Sequence, residues 1–90
     1  DQNIKVSVFV VTKEKGMGEK INRTMIRGVT SWKAWGEYSR SEEIVHMVVV
    51  NKYELLQLKK LIRQEDPHAF VQVMSPDMII GNFEKRLEVQ

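Results

Sequence analysis

Residues 29–55 read VTSWKAWGEYSRSEEIVHMVVVNKYEL, and the fold follows from how that stretch is divided. Val29 to Trp35 alternates as a strand, with Thr30, Trp32 and Ala34 on one side and Val29, Ser31, Lys33 and Trp35 on the other. Gly36 to Glu43 is polar and turn-rich. Ile44 to Val50 is a second strand, apolar except at His46. The two strands are expected to pair as a hairpin across a Tyr38–Glu42 loop. Asn51 and Glu54 then stand at capping-box spacing, a small polar N-cap with a glutamate three residues on. Leu55, Leu58, Leu61 and Ile62 form the apolar stripe of the helix so opened.

Upstream, Ile4 to Thr12 reads as a strand, with Ile4, Val6, Val8 and Val10 on one face and Phe9 and Val11 on the other. Met17, Ile21 and Met25 recur at helical spacing, Glu19 and Arg23 are four apart, and Gly28 fits the C′ position that ends this helix. Gly18, Asn22 and Thr24 lower its propensity, so packing must hold it. Downstream, Pro67 stops the second helix and Ala69 to Met74 is a fourth strand. Ser75-Pro76-Asp77 restarts a short helical turn that Gly81 ends, Phe83 tucks back onto the core, and residues 84–90 are a tail.

The order is β-α-β-β-α-β. Right-handed crossovers about a central hairpin give an α+β ferredoxin-like plait: a four-stranded antiparallel sheet with two helices on one face. With helices on one face only, Phe9, Val11, Val45, Met47 and Val49 leave the other face apolar. Either the tail covers it, through Phe83, Leu87 and Val89, or the domain self-associates. Trp32 and Trp35 fall on opposite faces, so one enters the main core and the other is free for a ligand wall or a subunit contact.

The 90 residues make one domain, with a core over residues 4–83; 42% hydrophobic and 29% charged residues are ordinary globular values. There is no cysteine, which excludes a disulfide framework, a thiolate zinc site and a cysteine nucleophile. A net charge of +2 is too small to imply a nucleic-acid polymer as partner. No run is long enough to span a membrane, and a chain opening Asp1-Gln2-Asn3 reads as processed or excised.

Chemistry is sparse. His46 is expected to be a half-buried strand residue, His68 a loop residue and Asp66 a helix-end residue; no catalytic or metal-ligating spacing links them. The aromatics of an RNA-recognition sheet and the glycines of a Walker loop are both missing. The chain therefore reads as a binding module, not an enzyme, with no cofactor or metal. Basic residues cluster between Lys13 and Lys33, opposed only by Glu14 and Glu19. Two loops within or beside that cluster are candidates. Lys13, Lys15, Gly16 and Gly18 precede a helix N-terminus, where backbone N–H groups can hold an anion. Gly36, Tyr38 and Arg40 combine close backbone approach, a stacking ring and an anion partner.

Arg27-Gly28-Val29-Thr30, Gly36-Glu37-Tyr38 and Asp66-Pro67-His68-Ala69-Phe70-Val71, with the apolar strand to Val50 between them, resemble the C-terminal domain of bacterial YitT-type membrane proteins. The likeness runs from about Ile4 to Phe83; Glu37 stands where that family tends to carry a second glycine, and Gly81-Asn82-Phe83 is shorter than its usual ending. The resemblance implies a fold like the PII signalling group, whose members are trimers that bind nucleotides, including cyclic di-AMP in one branch, in clefts between subunits. It also implies a domain on the cytoplasmic face of the cell membrane, attached to a membrane-spanning region. It adds Arg27, Gly28 and Thr30 to the candidate ligand contacts. Two functions follow as expectations: a homo-oligomeric ligand-sensing domain for a small anion such as a nucleotide, or an oligomerisation module that binds no ligand.

Overall fold

The computed structural model describes residues 4–84. Strand β1 (Lys5–Thr12), helix α1 (Met17–Met25), strands β2 (Val29–Gly36) and β3 (Ser41–Asn51), helix α2 (Leu55–Glu65) and strand β4 (Phe70–Met74) follow in that order, with a 3-10 turn over Lys52–Glu54. The sheet order is β2-β3-β1-β4 and all three pairings are antiparallel. This is the ferredoxin-like plait that the element order predicts.

Strand parity builds the core. Val6, Val8 and Val10 of β1 and Val48 and Val50 of β3 lie on one face. They meet Met17, Ile21 and Met25 of α1 and Leu58, Leu61 and Ile62 of α2, all buried. Complete burial of each such side chain is worth roughly 1.5–3 kcal/mol, so the two stripes dock the helices despite the weak propensity of α1. The capping box forms as expected: the Asn51 backbone N–H donates to Glu54 Oε1 at 2.8 Å.

Several expectations change. Ile4 lies outside β1 and is exposed. Helix α1 ends before Gly28: Ile26 takes the left-handed conformation (φ 56°), its N–H reaching Asn22 O at 3.0 Å. The Asn22 amide donates to Arg27 O at 2.8 Å, which fixes that exit. The hairpin turn is residues 37–40, and β3 starts at Ser41 instead of Ile44. Arg40, at φ 52°, supplies the left-handed residue that closes this turn. No helical turn forms over residues 75–81, because one isolated turn must bear the whole nucleation cost with few bonds in return.

Neither tryptophan enters the core. Trp32 is 44% and Trp35 58% exposed. Thr12 of β1 pairs with Ile44, so the β2–β3 pairs beyond it, Ala34 with Glu43 through Gly36 with Ser41, overhang as a two-stranded ribbon. Trp35 lies on the helix side of that overhang, where no helix reaches. Trp32 lies on the open sheet face, its ring edge-on to Phe9 at 6.3 Å between centroids. Phe83 does return to the domain, although onto cations: Arg27 lies 4.1 Å and Lys5 4.9 Å from its ring centre. Leu87 and Val89 lie outside the described residues.

Candidate functional site

The antiparallel order sends the C-terminal ends of β1 and β2 to the same pole. The Lys13–Gly18 segment and the Gly36–Arg40 turn therefore share that pole, while Arg27, Gly28 and Thr30 sit at the other, where β2 begins. Thr30 and Gly36 are roughly 20 Å apart along the strand at 3.3 Å per residue. The ten candidate residues thus divide between two places.

At the pole where β2 begins, a groove of about 1010 Å³ is lined by Arg27, Gly28, Thr30, Met47, Val49 and Phe83, among others. Arg27 is only 5% exposed and is engaged from within. Its Nη2 donates to Glu54 Oε1 at 2.9 Å and its Nη1 to the Phe83 carbonyl at 2.6 Å. Glu54, 3% exposed, thus caps the 3-10 turn and neutralises Arg27 at once. The guanidinium predicted to meet a ligand is spent on closing the fold.

On the helix side of the sheet, a second groove of about 680 Å³ runs between α1 and β2 from Asn22 and Val29, which also line the first groove, toward Lys15 and Glu42 near the hairpin end. Lys15 and Gly18 line it from the α1 side, and Ser31, Lys33, Glu42, Ile44 and His46 from the sheet side. The loop carrying Lys15 is anchored at its base: Glu14 N–H donates to Thr12 Oγ1 at 3.0 Å and Met17 N–H to Glu14 O at 3.3 Å. Thr12 in turn donates to Asp66 Oδ2 at 2.5 Å. That bond, with the His68 backbone N–H at 2.9 Å, holds the Asp66 carboxyl below its ordinary range. Asp66 is thereby a helix-end anchor, as its position predicts. Gly16 precedes the first residue of α1 with φ −84°, so its glycine freedom is unused. Tyr38 is fully exposed at the hairpin tip and, with Arg40, lies outside the residues lining the groove.

His46 is 2% exposed, not half-buried, because its parity puts it on the core face beside Val48. Its Nδ1 lies 2.6 Å from Ser31 Oγ. Its Nε2 is buried and has no hydrogen-bond partner among the described residues. Burial lowers its pKa below the usual histidine value, so the ring is neutral at pH 7. Gly18 makes room for it: a Cβ there would stand 2.8 Å from the imidazole Cε1 and Nδ1. Ser31, Lys33 and His46 were absent from the predicted contacts. The one sequence signal was His46 itself, a polar residue at a core-parity position in an otherwise apolar strand.

Set beside known proteins, the chain is 31% identical over 85 residues to the membrane protein YitT of Bacillus subtilis (strain 168), covering 93% of this chain and 30% of that protein. It therefore spans about 30% of the length of that relative. Among the described residues no helix is long and apolar enough to cross a membrane. A crystal structure of an uncharacterized DUF2179 protein from Eubacterium ventriosum superposes with a TM-score of 0.63 at 30% identity, covering 77% of this chain and 96% of that one. A putative PII-like signaling protein from Thermus thermophilus superposes at 0.55 with 26% identity, covering 79% and 85%. The family model described as an uncharacterized protein conserved in bacteria, DUF2179, matches residues 27–81. This chain belongs to the DUF2179 family, in a fold shared with PII-like proteins.

Proposed function

We propose that this chain is a ligand-sensing domain of a bacterial membrane protein, held at the cytoplasmic face, and that it binds a small anion such as a nucleotide in the groove beside Ser31 and His46. It binds and does not catalyse. The observation that carries this reading is a single groove lined by Lys15, Lys33, the first turn of α1 and a serine hydroxyl backed by a buried histidine, with Glu19 and Glu42 also on its wall. The relative named a membrane protein and the neighbour named a PII-like signaling protein agree with this reading. Occupancy would bias the attached membrane region only through different affinities for its two states.

The test is a thermal-shift screen of the chain against nucleotides, cyclic dinucleotides and simple anions. A ligand at about 100 times its dissociation constant adds about 2.7 kcal/mol, several degrees for a domain this small. The shift is expected to vanish in a Lys15→Ala, Lys33→Ala double variant. A wild-type chain that no ligand stabilises would overturn the reading.

The open sheet face supports a second one, an assembly module that multimerises its membrane partner. Phe9, Trp32, Val45, Met47, Phe70 and Met74 share that face by register, and Trp32, Phe70 and Met74 are exposed. Sedimentation showing only monomer at high micromolar concentration removes this alternative.

A further inference from the structure

We infer that His46 is a positioning residue that holds the Ser31 hydroxyl as a hydrogen-bond donor, and that the groove selects ligands presenting an oxyanion: phosphate, sulfate or carboxylate. This rests on the reading above that the groove binds a small ligand, and it names the chemistry by which it does so.

The location of one proton decides the matter. A neutral imidazole has a single N–H for two ring nitrogens. In His46, Nδ1 has Ser31 Oγ at 2.6 Å, and Nε2 is enclosed without a partner among the described residues. With the proton on Nε2, a buried N–H would lack an acceptor. With the proton on Nδ1, Nε2 is left with only a bare lone pair. Orphaned buried donors are the rarer and costlier of the two. Nδ1–H therefore donates to Ser31 Oγ, and the serine must direct its own O–H elsewhere. Ser31 is exposed and lines the groove, so that proton is presented to whatever occupies it.

The surroundings suit an anionic acceptor. Lys15 and Lys33 line the same groove, and Gly18 brings the first turn of the nine-residue α1 against it. Two carboxylates are present as well. Glu19 is paired with Arg23 at 3.5 Å, and Glu42 lies on the outer part of the ribbon. Three elements are committed to the arrangement: β3 supplies the buried ring, β2 the hydroxyl, and α1 a glycine that leaves the ring its space. A valine at position 46 would complete the row of Val48 and Val50 without an unpaired nitrogen, so the histidine is not explained by packing.

The experiment combines a spectrum and a titration on the 90-residue chain, whose core is closed by its own elements. Nitrogen-15 NMR of the His46 ring near neutral pH is expected to show a protonated Nδ1 and a bare Nε2. Inorganic phosphate and a nucleoside monophosphate serve as probes, separating free phosphate from a phosphate ester. Ser31→Ala is expected to weaken whichever binds by roughly 10- to 100-fold, the loss of a hydrogen bond to a charged group. His46→Asn, which keeps a donor near the Nδ1 position, is expected to retain most of the affinity, and His46→Val to lose it as Ser31→Ala does. A ring protonated at Nε2, or unchanged affinity in Ser31→Ala, overturns the inference. A neutral or cationic ligand that stabilises the chain while phosphate, sulfate and carboxylate do not would also overturn it, yet leave the sensing reading intact.

Discussion

Arg27 and His46 are both buried polar groups beside β2, one just before its first residue and one opposite Ser31, and the fold treats them differently. Both terminal nitrogens of Arg27 are bonded, one to Glu54 and one to the Phe83 carbonyl, with the Phe83 ring laid over the guanidinium. His46 has one nitrogen bonded and one enclosed without a partner among the described residues. A charge can stay buried only when it is compensated, and Arg27 is compensated three ways. A neutral ring tolerates a bare lone pair, at a stability cost that the fold retains. The Arg27 site is therefore built as structure. The groove on the helix side keeps, two residues into β2, a polar group whose presence stability does not explain.

Removing one partner at each site tests that distinction most sharply. Glu54→Ala takes a carboxylate away from the buried Arg27 guanidinium and uncaps the 3-10 turn. It is expected to cost about 3–5 kcal/mol in urea unfolding, a large part of the stability of so small a domain. His46→Val removes a polar group that is only half satisfied and is expected to change stability by less than about 1.5 kcal/mol, in either direction. Equal losses in the two variants would mean that His46 is as structural as Glu54.

Gly18 gives the next largest effect. Glycine to alanine inside a helix ordinarily stabilises by about 1 kcal/mol. Here the added Cβ would fall 2.8 Å from the His46 ring and 3.1 Å from Ser31 Oγ, so the sign reverses and Gly18→Ala is expected to cost about 1–3 kcal/mol. In the His46→Val background much of that clash is gone, and the same substitution is expected to be close to neutral. A double-mutant cycle with no coupling between positions 18 and 46 would show that the glycine is there for another reason.

The two sites also differ in how far they could be read from the chain alone. The capping box over Asn51 and Glu54 was legible because its spacing is local, and so were the apolar stripes of α1 and α2. The second task of Glu54, neutralising Arg27, was not, since it depends on a contact across 27 residues. The Ser31–His46 pair was hidden by a small error of register. A turn at Tyr38–Glu42 sets the strands out of step. The actual turn, between paired Gly36 and Ser41, carries Ser31 onto His46 five residues back along each strand. Turn position turned on Arg40 adopting a left-handed conformation that sequence statistics reserve mostly for glycine and asparagine. Gly28 misled in the mirror-image way: it looked like the helix terminator, while Ile26 took that conformation.

The smallest effect is also the one that separates His46 from the rest of the molecule by pH alone. Burial lowers the His46 pKa in the folded chain below the ordinary 6.5. Between those two values the unfolded chain binds more protons than the folded one, so stability rises with pH. The contribution is complete above pH 6.5 and is lost as pH falls from there toward the folded value. Asp66 acts in a separate window: Thr12 and the His68 N–H lower its pKa below 3.8, so its contribution is complete above that and is lost as pH falls through the folded value. Urea midpoints measured from about pH 8 down to about pH 3 are therefore expected to decline in two stages. His46→Val should flatten the upper stage and leave the lower, whereas Thr12→Val should shrink the lower and leave the upper. An upper stage that survives His46→Val overturns that assignment. That result would mean that the His46 ring titrates alike in the folded and unfolded chain, and that the groove floor carries no standing stability cost.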